Sequence, residues 1–288
     1  MALKERRWEV MEVGEAFGPL LVTVDERLVR DFAYAVDDFD PLFLWPGDGG
    51  PRLGHPTLLC REARDVIATH YDIASGGAGM HAKHALEIHG CPRLGETYRV
   101  TGRHVEKFLK REKQYIVLES EVHDSAGALL LRQRSTHIRA LQPGVAKAAV
   151  PVAARPAAVT PDAMLRPVAR RFSQEQLTVF AGCGWANIHT DPAIAHAAGL
   201  RGTVASGLQT MAAVSSVLHA AFGRGWREGG RLDVAFTAPC FVEDEIEAGA
   251  CVTARGAEDG RGFATLEVWC DTASGVRVLA GTARAWLD

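Results

Sequence analysis

The sequence predicts an α+β chain in which one architectural unit occurs twice. Two observations carry that expectation. The order of helix, loop, buried apolar helix and four strand-like runs passes through residues 24–139 and returns through residues 173–286. Within each half the strand-like runs follow one another directly, which is the pattern of an antiparallel meander with helices on one face. A third observation separates the halves: residues 142–161 consist mainly of Ala, Val and Pro, where proline breaks helices and removes strand donors. The expected organisation is therefore an N-terminal unit at 1–141, a linker at 142–161 and a C-terminal unit at 162–288.

In the first unit a helix is expected over 24–36, running into Asp37, Asp38 and Asp40-Pro41. After a Gly/Pro-rich stretch, Leu58, Leu59, Val66 and Ile67 suit a mostly buried helix over 56–69. Strands are expected over 84–88, 97–106, 114–123 and 128–139, with a hairpin turn at Asp124-Ser125-Ala126-Gly127. In the second unit Ser173 reads as an N-cap with Gln176 at the third helical position. A short helix over 193–198 and a long apolar one over 208–222 follow. Strands over 231–236, 245–256, 262–271 and 276–286 complete the unit, with the matching turn at Asp271–Gly275.

The composition is that of a globular chain: 47% of 288 residues are hydrophobic and 23% charged, with a net charge of −3. That balance gives nucleic-acid binding no footing in bulk charge. No apolar run is long enough to span a membrane, and the charged first eight residues do not read as a signal peptide. The six cysteines contain no Cys-x-x-Cys pair, so reduced thiols in a cytoplasmic chain are expected. His81, His84 and His89 do not have the spacing of a metal set. On a regular strand His81 and His89 would share one face and His84 the other, so structural or surface histidines are expected. Lys107, Lys110, Arg111 and Lys113 read as a solvated hairpin or as a rest for phosphates.

Ile188-His189-Thr190-Asp191-Pro192, Ala198-Gly199-Leu200 and Ser206-Gly207-Leu208 closely resemble the MaoC-like dehydratases, hotdog-fold (R)-specific enoyl-CoA hydratases. Phe236 to Ile246 is similar to that family's Phe-x-x-Pro-Val-x-x-Gly-Asp-x-Leu strand. The first half matches more loosely, through Asp38-Phe39-Asp40-Pro41-Leu42-Phe43 and Gly54-His55-Pro56-Thr57. The resemblance implies a double hotdog, with antiparallel sheet wrapped around a long central helix in each half.

Hydrating an enoyl thioester requires a base for water, an acid for Cα and donors for the thioester oxygen. The family supplies an Asp and a His five residues apart on one loop, and backbone N–H groups at the start of the central helix. Aligned on that pattern, the second half keeps His189 but has Gly184 at the Asp position and Asn187 at the Pro position. The first half keeps Asp38 but has Phe43 at the His position. His189 is thus expected to work with Asp191 or an acid from the other half, or Asp38 with His55. Ser206, Gly207 and Leu208 are expected to meet the thioester oxygen, with Asn187 and Gly184 beside the substrate. In plainer readings His189 bonds backbone, Asp38 makes a turn, and Asp191 and Ser206 cap helices.

The resemblance implies hydration of a trans-2-enoyl thioester, or the reverse dehydration of a 3-hydroxyacyl thioester, without metal or redox cofactor. Coenzyme A would enter as part of the substrate, an acyl-CoA or acyl-carrier thioester, and a homodimer of double-hotdog chains is expected. The alternatives are a silent acyl-CoA-binding or partner subunit of a hydratase, and a hotdog thioesterase using Asp38.

Overall fold

The computed structural model describes residues 2–45, 51–75, 77–139, 163–182 and 184–287. The expected linker at 142–161 and Cys183 lie outside the described residues.

The first half runs β1 (Lys4–Glu5), β2 (Ala16–Thr23), α1 (Glu26–Val36), α2 (Pro41–Leu44), α3 (Cys60–Asp65), β3 (Tyr71–Asp72), β4 (Met80–Ile88), β5 (Thr97–Lys110), β6 (Lys113–His123) and β7 (Leu129–Arg139). Asp25 caps α1 by accepting from the Leu28 N–H at 2.8 Å, and Asp37 ends it at a left-handed φ of 53°. The buried helix expected over 56–69 is much shorter. Only Cys60–Asp65 is α-helical, followed by a 3₁₀ turn at Val66–Thr69. The β-branched Val66, Ile67 and Thr69 weaken helix propensity there, and the Thr69 hydroxyl donates to the Val66 carbonyl at 2.8 Å, favouring the tighter turn. Among its described residues the first half therefore has no long central helix.

The second half runs β8 (Val168–Arg171), α4 (Gln174–Ala181), α5 (Pro192–Ala197), α6 (Gly207–Arg227), β9 (Arg231–Phe236), β10 (Glu245–Glu258), β11 (Arg261–Thr272) and β12 (Arg277–Trp286). Helix α6 is buried on nearly every face from Leu208 to His219, as expected of a helix wrapped by sheet. Its regular part stops at Gly223, whose φ of 48° no β-carbon tolerates easily. Beyond that break the chain folds back, and the Trp226 indole donates to the Ser215 hydroxyl at 2.9 Å.

Ten strands form one antiparallel sheet in the order β2-β5-β6-β7-β4-β9-β12-β11-β10-β8. The halves meet edge to edge through β4 and β9, with His84 opposite Val234 and Leu86 opposite Leu232. That pairing fuses two expected sheets into one and covers what would be two open edges. A small parallel pair, β1 with β3, sets Lys4 against Tyr71.

The helices of the two halves are clasped by glutamines. Gln176 and Gln209 each accept from their own N-cap backbone, Ser173 N–H and Ser206 N–H, at 2.9 Å. Each also donates from Nε2 to the end of α1, Gln176 to Tyr34 O at 2.8 Å and Gln209 to Ala35 O at 2.9 Å. One side chain thus serves an exposed helix start and an orphan helix end together. No described helix is long and apolar enough to cross a membrane.

Candidate functional site

His189 sits on the loop between α4 and α5, and the sequence around it fixes that loop at several points. The Asn187 side chain accepts from the His189 N–H at 2.7 Å, and Gln174 donates to the His189 carbonyl at 2.9 Å. Ile188 is buried in a small apolar cluster with Ala195, Leu200 and Val204, which anchors the loop from below. The His189 Nδ1 lies 2.7 Å from the Val204 carbonyl oxygen. A carbonyl can only accept, so Nδ1 carries the proton and Nε2 keeps its lone pair. Burial pulls the imidazole down to about 4, against the opposing pull of the Val204 bond, so the ring is neutral at pH 7.

A cavity of about 300 Å³ opens beside it, lined by both halves. The second half contributes His189, Asn187, Ser206, Gly207 and Thr210; the first contributes Arg6, Arg64, His81, His137 and Arg139. Of the expected helix-start residues, Ser206 and Gly207 line this cavity and Leu208 does not; Leu208 is 2% exposed and packs in the core. The capping box also engages two of the three amides: Ser206 N–H with Gln209, and Leu208 N–H with the Ser206 hydroxyl at 3.4 Å. The Gly207 N–H lies outside the box. A β-carbon at 207 would come within 2.8 Å of the Phe236 ring, so glycine is required there by packing.

Gly184 is exposed and is absent from the cavity lining, contrary to its expected place beside the substrate. Asp191 is likewise not a partner of His189 among the described residues. Its Oδ1 accepts from the Ala193 N–H at 2.8 Å and caps α5, because Asp-Pro at a helix start points the carboxylate at the first free amides. The cavity's one carboxylate among its described lining residues is Asp65, held by Arg64 through two bonds of 2.8 Å.

Asp38 and His55 do come together, but elsewhere and not along this cavity. His55 Nε2 stands 3.6 Å from Asp38 Oδ2, and the Ser216 hydroxyl of α6 donates to the same oxygen at 2.5 Å. His55 Nδ1 accepts from the Thr57 N–H at 3.1 Å, so its proton resides on Nε2. Burial raises the Asp38 carboxyl, yet His55, Ser216 and the Asp40 N–H outweigh it and hold it below the usual range. Burial drives His55 down to about 4. Phe32 at 5.3 Å and Phe43 at 5.2 Å between ring centres flank the His55 ring, and His219, Asp40 and Arg170 lie close enough to act on it.

The histidines of β4 are not arranged as alternation predicts. A bulge between His81 and Lys83 shifts the phase by one residue, so His84 Nδ1 lies 3.3 Å from His81 Nε2 on one face. His81 stacks on His137 at 4.4 Å and touches Phe236 at 4.6 Å, which brings β4 against the start of α6. Burial, with His137 and His84 nearby, keeps His81 well below its ordinary value. Among the described residues no group of three or more His, Cys, Asp and Glu is placed to hold a metal ion. The basic residues at the β5–β6 turn do not line the cavity; Lys107 donates to the Met11 carbonyl at 2.8 Å and covers the Trp8 ring at 4.2 Å. Sequence reasoning missed Arg6, Arg64, His137 and Arg139, which carry no local motif.

Two helix-backed units joined through one continuous sheet define a double hotdog. Its solved relatives agree: a MaoC-like dehydratase is 18% identical with a TM-score of 0.74, covering 97% of this chain and 99% of that one. A conserved hypothetical protein of Mycobacterium tuberculosis described as a double hotdog is 15% identical with a TM-score of 0.70, covering 98% of each chain. The full-length peroxisomal multifunctional enzyme type 2 of Drosophila melanogaster is 17% identical with a TM-score of 0.67; 94% of this chain covers 48% of that one. No curated protein sequence matches. Residues 153–268 match the family model of the MaoC like domain, so the second half of the chain is similar to that family.

Proposed function

We propose that this protein hydrates a trans-2-enoyl thioester, or dehydrates the corresponding 3-hydroxyacyl thioester, in the cavity beside His189. One observation carries the reading: a neutral imidazole with its lone pair on Nε2 shares a cavity wall with the Gly207 N–H at the start of a 21-residue helix. Nε2 would take a proton from water as its oxygen adds to Cβ. The thioester oxygen, becoming an enolate, would be met by the Gly207 N–H and the positive end of the helix. The imidazolium would then return the proton to Cα. Every proton passes through His189, so the chemistry calls for no metal or redox cofactor, and coenzyme A enters only with the substrate.

A second reading, acyl-thioester binding without turnover, is favoured by a specific observation. The one carboxylate among the described lining residues, Asp65, is engaged by Arg64, so His189 lacks the partner that the family's dyad supplies. General-base catalysis contributes about 10²–10⁴-fold, so a lone histidine implies a slower hydratase. The deciding experiment is a spectrophotometric assay with crotonyl-CoA and a longer enoyl-CoA on wild type and His189→Ala. Turnover lost with His189→Ala supports the hydratase. Tight binding of both thioesters with no turnover of either supports the binding role.

A further inference from the structure

Gln174 opens α4 and is absent from the described lining of the His189 cavity, yet its amide joins two segments that meet at His189. Its Nε2 donates to the His189 carbonyl at 2.9 Å, and the Thr203 hydroxyl donates to its Oε1 at 2.6 Å. The partners determine which way that amide faces. A carbonyl only accepts, so the nitrogen must face His189; the oxygen then faces Thr203, whose hydroxyl has to donate. Nε2 also lies 3.3 Å from the Thr178 hydroxyl, which itself donates to the Gln174 carbonyl at 2.9 Å. The nitrogen and the oxygen of the amide are therefore both engaged.

Thr203 adjoins Val204, whose backbone is the other hold on the histidine loop. The Val204 N–H donates to the Ile188 carbonyl at 3.2 Å, and the Val204 carbonyl accepts from His189 Nδ1 at 2.7 Å. These bonds close a ring. It runs from the imidazole to Val204, along the chain to Thr203, through the hydroxyl to Gln174, and from Gln174 back to the His189 carbonyl. One side of the ring holds the imidazole and the other holds the main chain that carries it. Thr203 is 1% exposed, so its bond to Gln174 is made away from bulk water, and its carbonyl is fixed by the Val242 N–H at 3.0 Å.

We infer that Gln174 is a positioning residue for His189: through Thr203 it keeps the Val204 carbonyl at hydrogen-bond distance from Nδ1, and so keeps the lone pair on Nε2. Neither Gln174 nor Thr203 is among the described lining residues of the cavity, so the two act through His189 and not on a substrate. When the partner of Nδ1 is withdrawn, the proton of a neutral imidazole is shared between its two nitrogens. The form protonated at Nε2 cannot take a proton from water at that nitrogen. The catalytic consequence rests on the hydratase reading above, whereas the tautomer does not.

The test reads the tautomer first. Proton–nitrogen correlation NMR at pH 7.5 is recorded on the full chain with isotope-labelled histidine, and His189→Ala identifies the His189 signals by their loss. Wild type, Gln174→Leu, Thr203→Val and Thr203→Ser are compared, each checked for folding by circular dichroism. Wild type is expected to carry the His189 proton on Nδ1 alone. Gln174→Leu and Thr203→Val break the ring at different places, and each is expected to show the Nε2-protonated form as well. Thr203→Ser keeps the hydroxyl and is expected to show the Nδ1 form alone. In crotonyl-CoA hydration the two breaking variants should lose about three- to tenfold in kcat with KM within about twofold, the usual net worth of one hydrogen bond. Because both belong to one ring of bonds, the double variant should lose about as much as the larger single loss. If wild type turns over no enoyl thioester, the hydratase reading fails and the tautomers still decide the role of Gln174. His189 protonated at Nε2 in wild type, or at Nδ1 alone in both folded breaking variants, overturns the inference.

Discussion

His55 and His189 hold their protons on opposite ring nitrogens. His55 Nδ1 accepts from Thr57 and directs an Nε2–H toward Asp38, whereas His189 Nδ1 donates to Val204 and keeps the lone pair on Nε2, in a ring that lines the cavity. The first is a donor pointed at a buried carboxylate, and the second is a base in a cavity wall. This difference separates an interior clasp from a candidate reaction centre more sharply than sequence position does.

If His189 is the base, hydration depends on its neutral form. Because burial brings it to about 4, kcat/KM for crotonyl-CoA should be level from pH 8 down to about 5 and fall as the pH drops through about 4. Short assays that outpace acid unfolding would read this limb. An acid limb at the ordinary histidine value near 6.5 would contradict the assignment.

Stability should decline earlier than activity at His189. His55 and His104 are lowered to about 4 and His84 to about 3, each chiefly by burial. Below the ordinary value of 6.5 the unfolded chain binds protons that the folded chain refuses, so the folded state loses stability as the pH falls. Each of the three should remove roughly 1.4 kcal/mol by pH 5.5 and nothing above pH 7.5. Urea midpoints that stay constant between pH 7.5 and 5.5 would show these rings to be solvated.

Much of the fold was readable because its signals are local. The Ser173–Gln176 box, the strand runs and the hairpin turns each rest on residues a few positions apart. The candidate site was legible only on its second-half loop. Arg6 reaches the cavity because β1 pairs with β3, setting Lys4 against Tyr71 far along the chain, and no spacing in the sequence announces that. The histidine face was misread for a different reason. Alternation assumes a regular strand, and the bulge at His81 and Lys83 breaks the count. Asp191 carries two readings because the same Asp-Pro pair serves as a cap and as part of a motif, and the structure shows the cap.

Ser216 ties Asp38 to the central helix of the other half with a bond of 2.5 Å to a buried carboxylate. Ser216→Ala should cost about 1.5–3 kcal/mol in urea unfolding, as a charge-assisted bond without solvent replacement. A change below about 0.5 kcal/mol would mean that Asp38 finds another donor at once.

Gln209 must donate to Ala35 O while accepting from Ser206 N–H, and it is fully buried. Gln209→Glu keeps the acceptor and replaces the donor with an oxygen facing a carbonyl. A loss of about 2 kcal/mol or more is expected at pH 8, and the difference from wild type should narrow toward pH 5 as the new acid protonates and donates again. A pH-independent difference would place the damage in the capping box instead.

Gly207 touches the Phe236 ring, and Phe236 in turn touches His81 across the junction of the halves. A methyl group at 207 would meet three ring carbons at 2.8–2.9 Å, a distance that forces the ring to move. Gly207→Ala should therefore cost about 1–3 kcal/mol despite alanine's better helix propensity. Because the displaced ring lies on the cavity wall, enoyl-CoA turnover should fall in the same variant. Phe236→Leu gives the methyl its room, so the double variant should be more stable than the two single losses predict. That non-additivity, read from a double-mutant cycle in urea, identifies the contact itself as the cause. Strictly additive losses would mean that alanine disturbs the helix start by some other route, and the packing account of this glycine would fail.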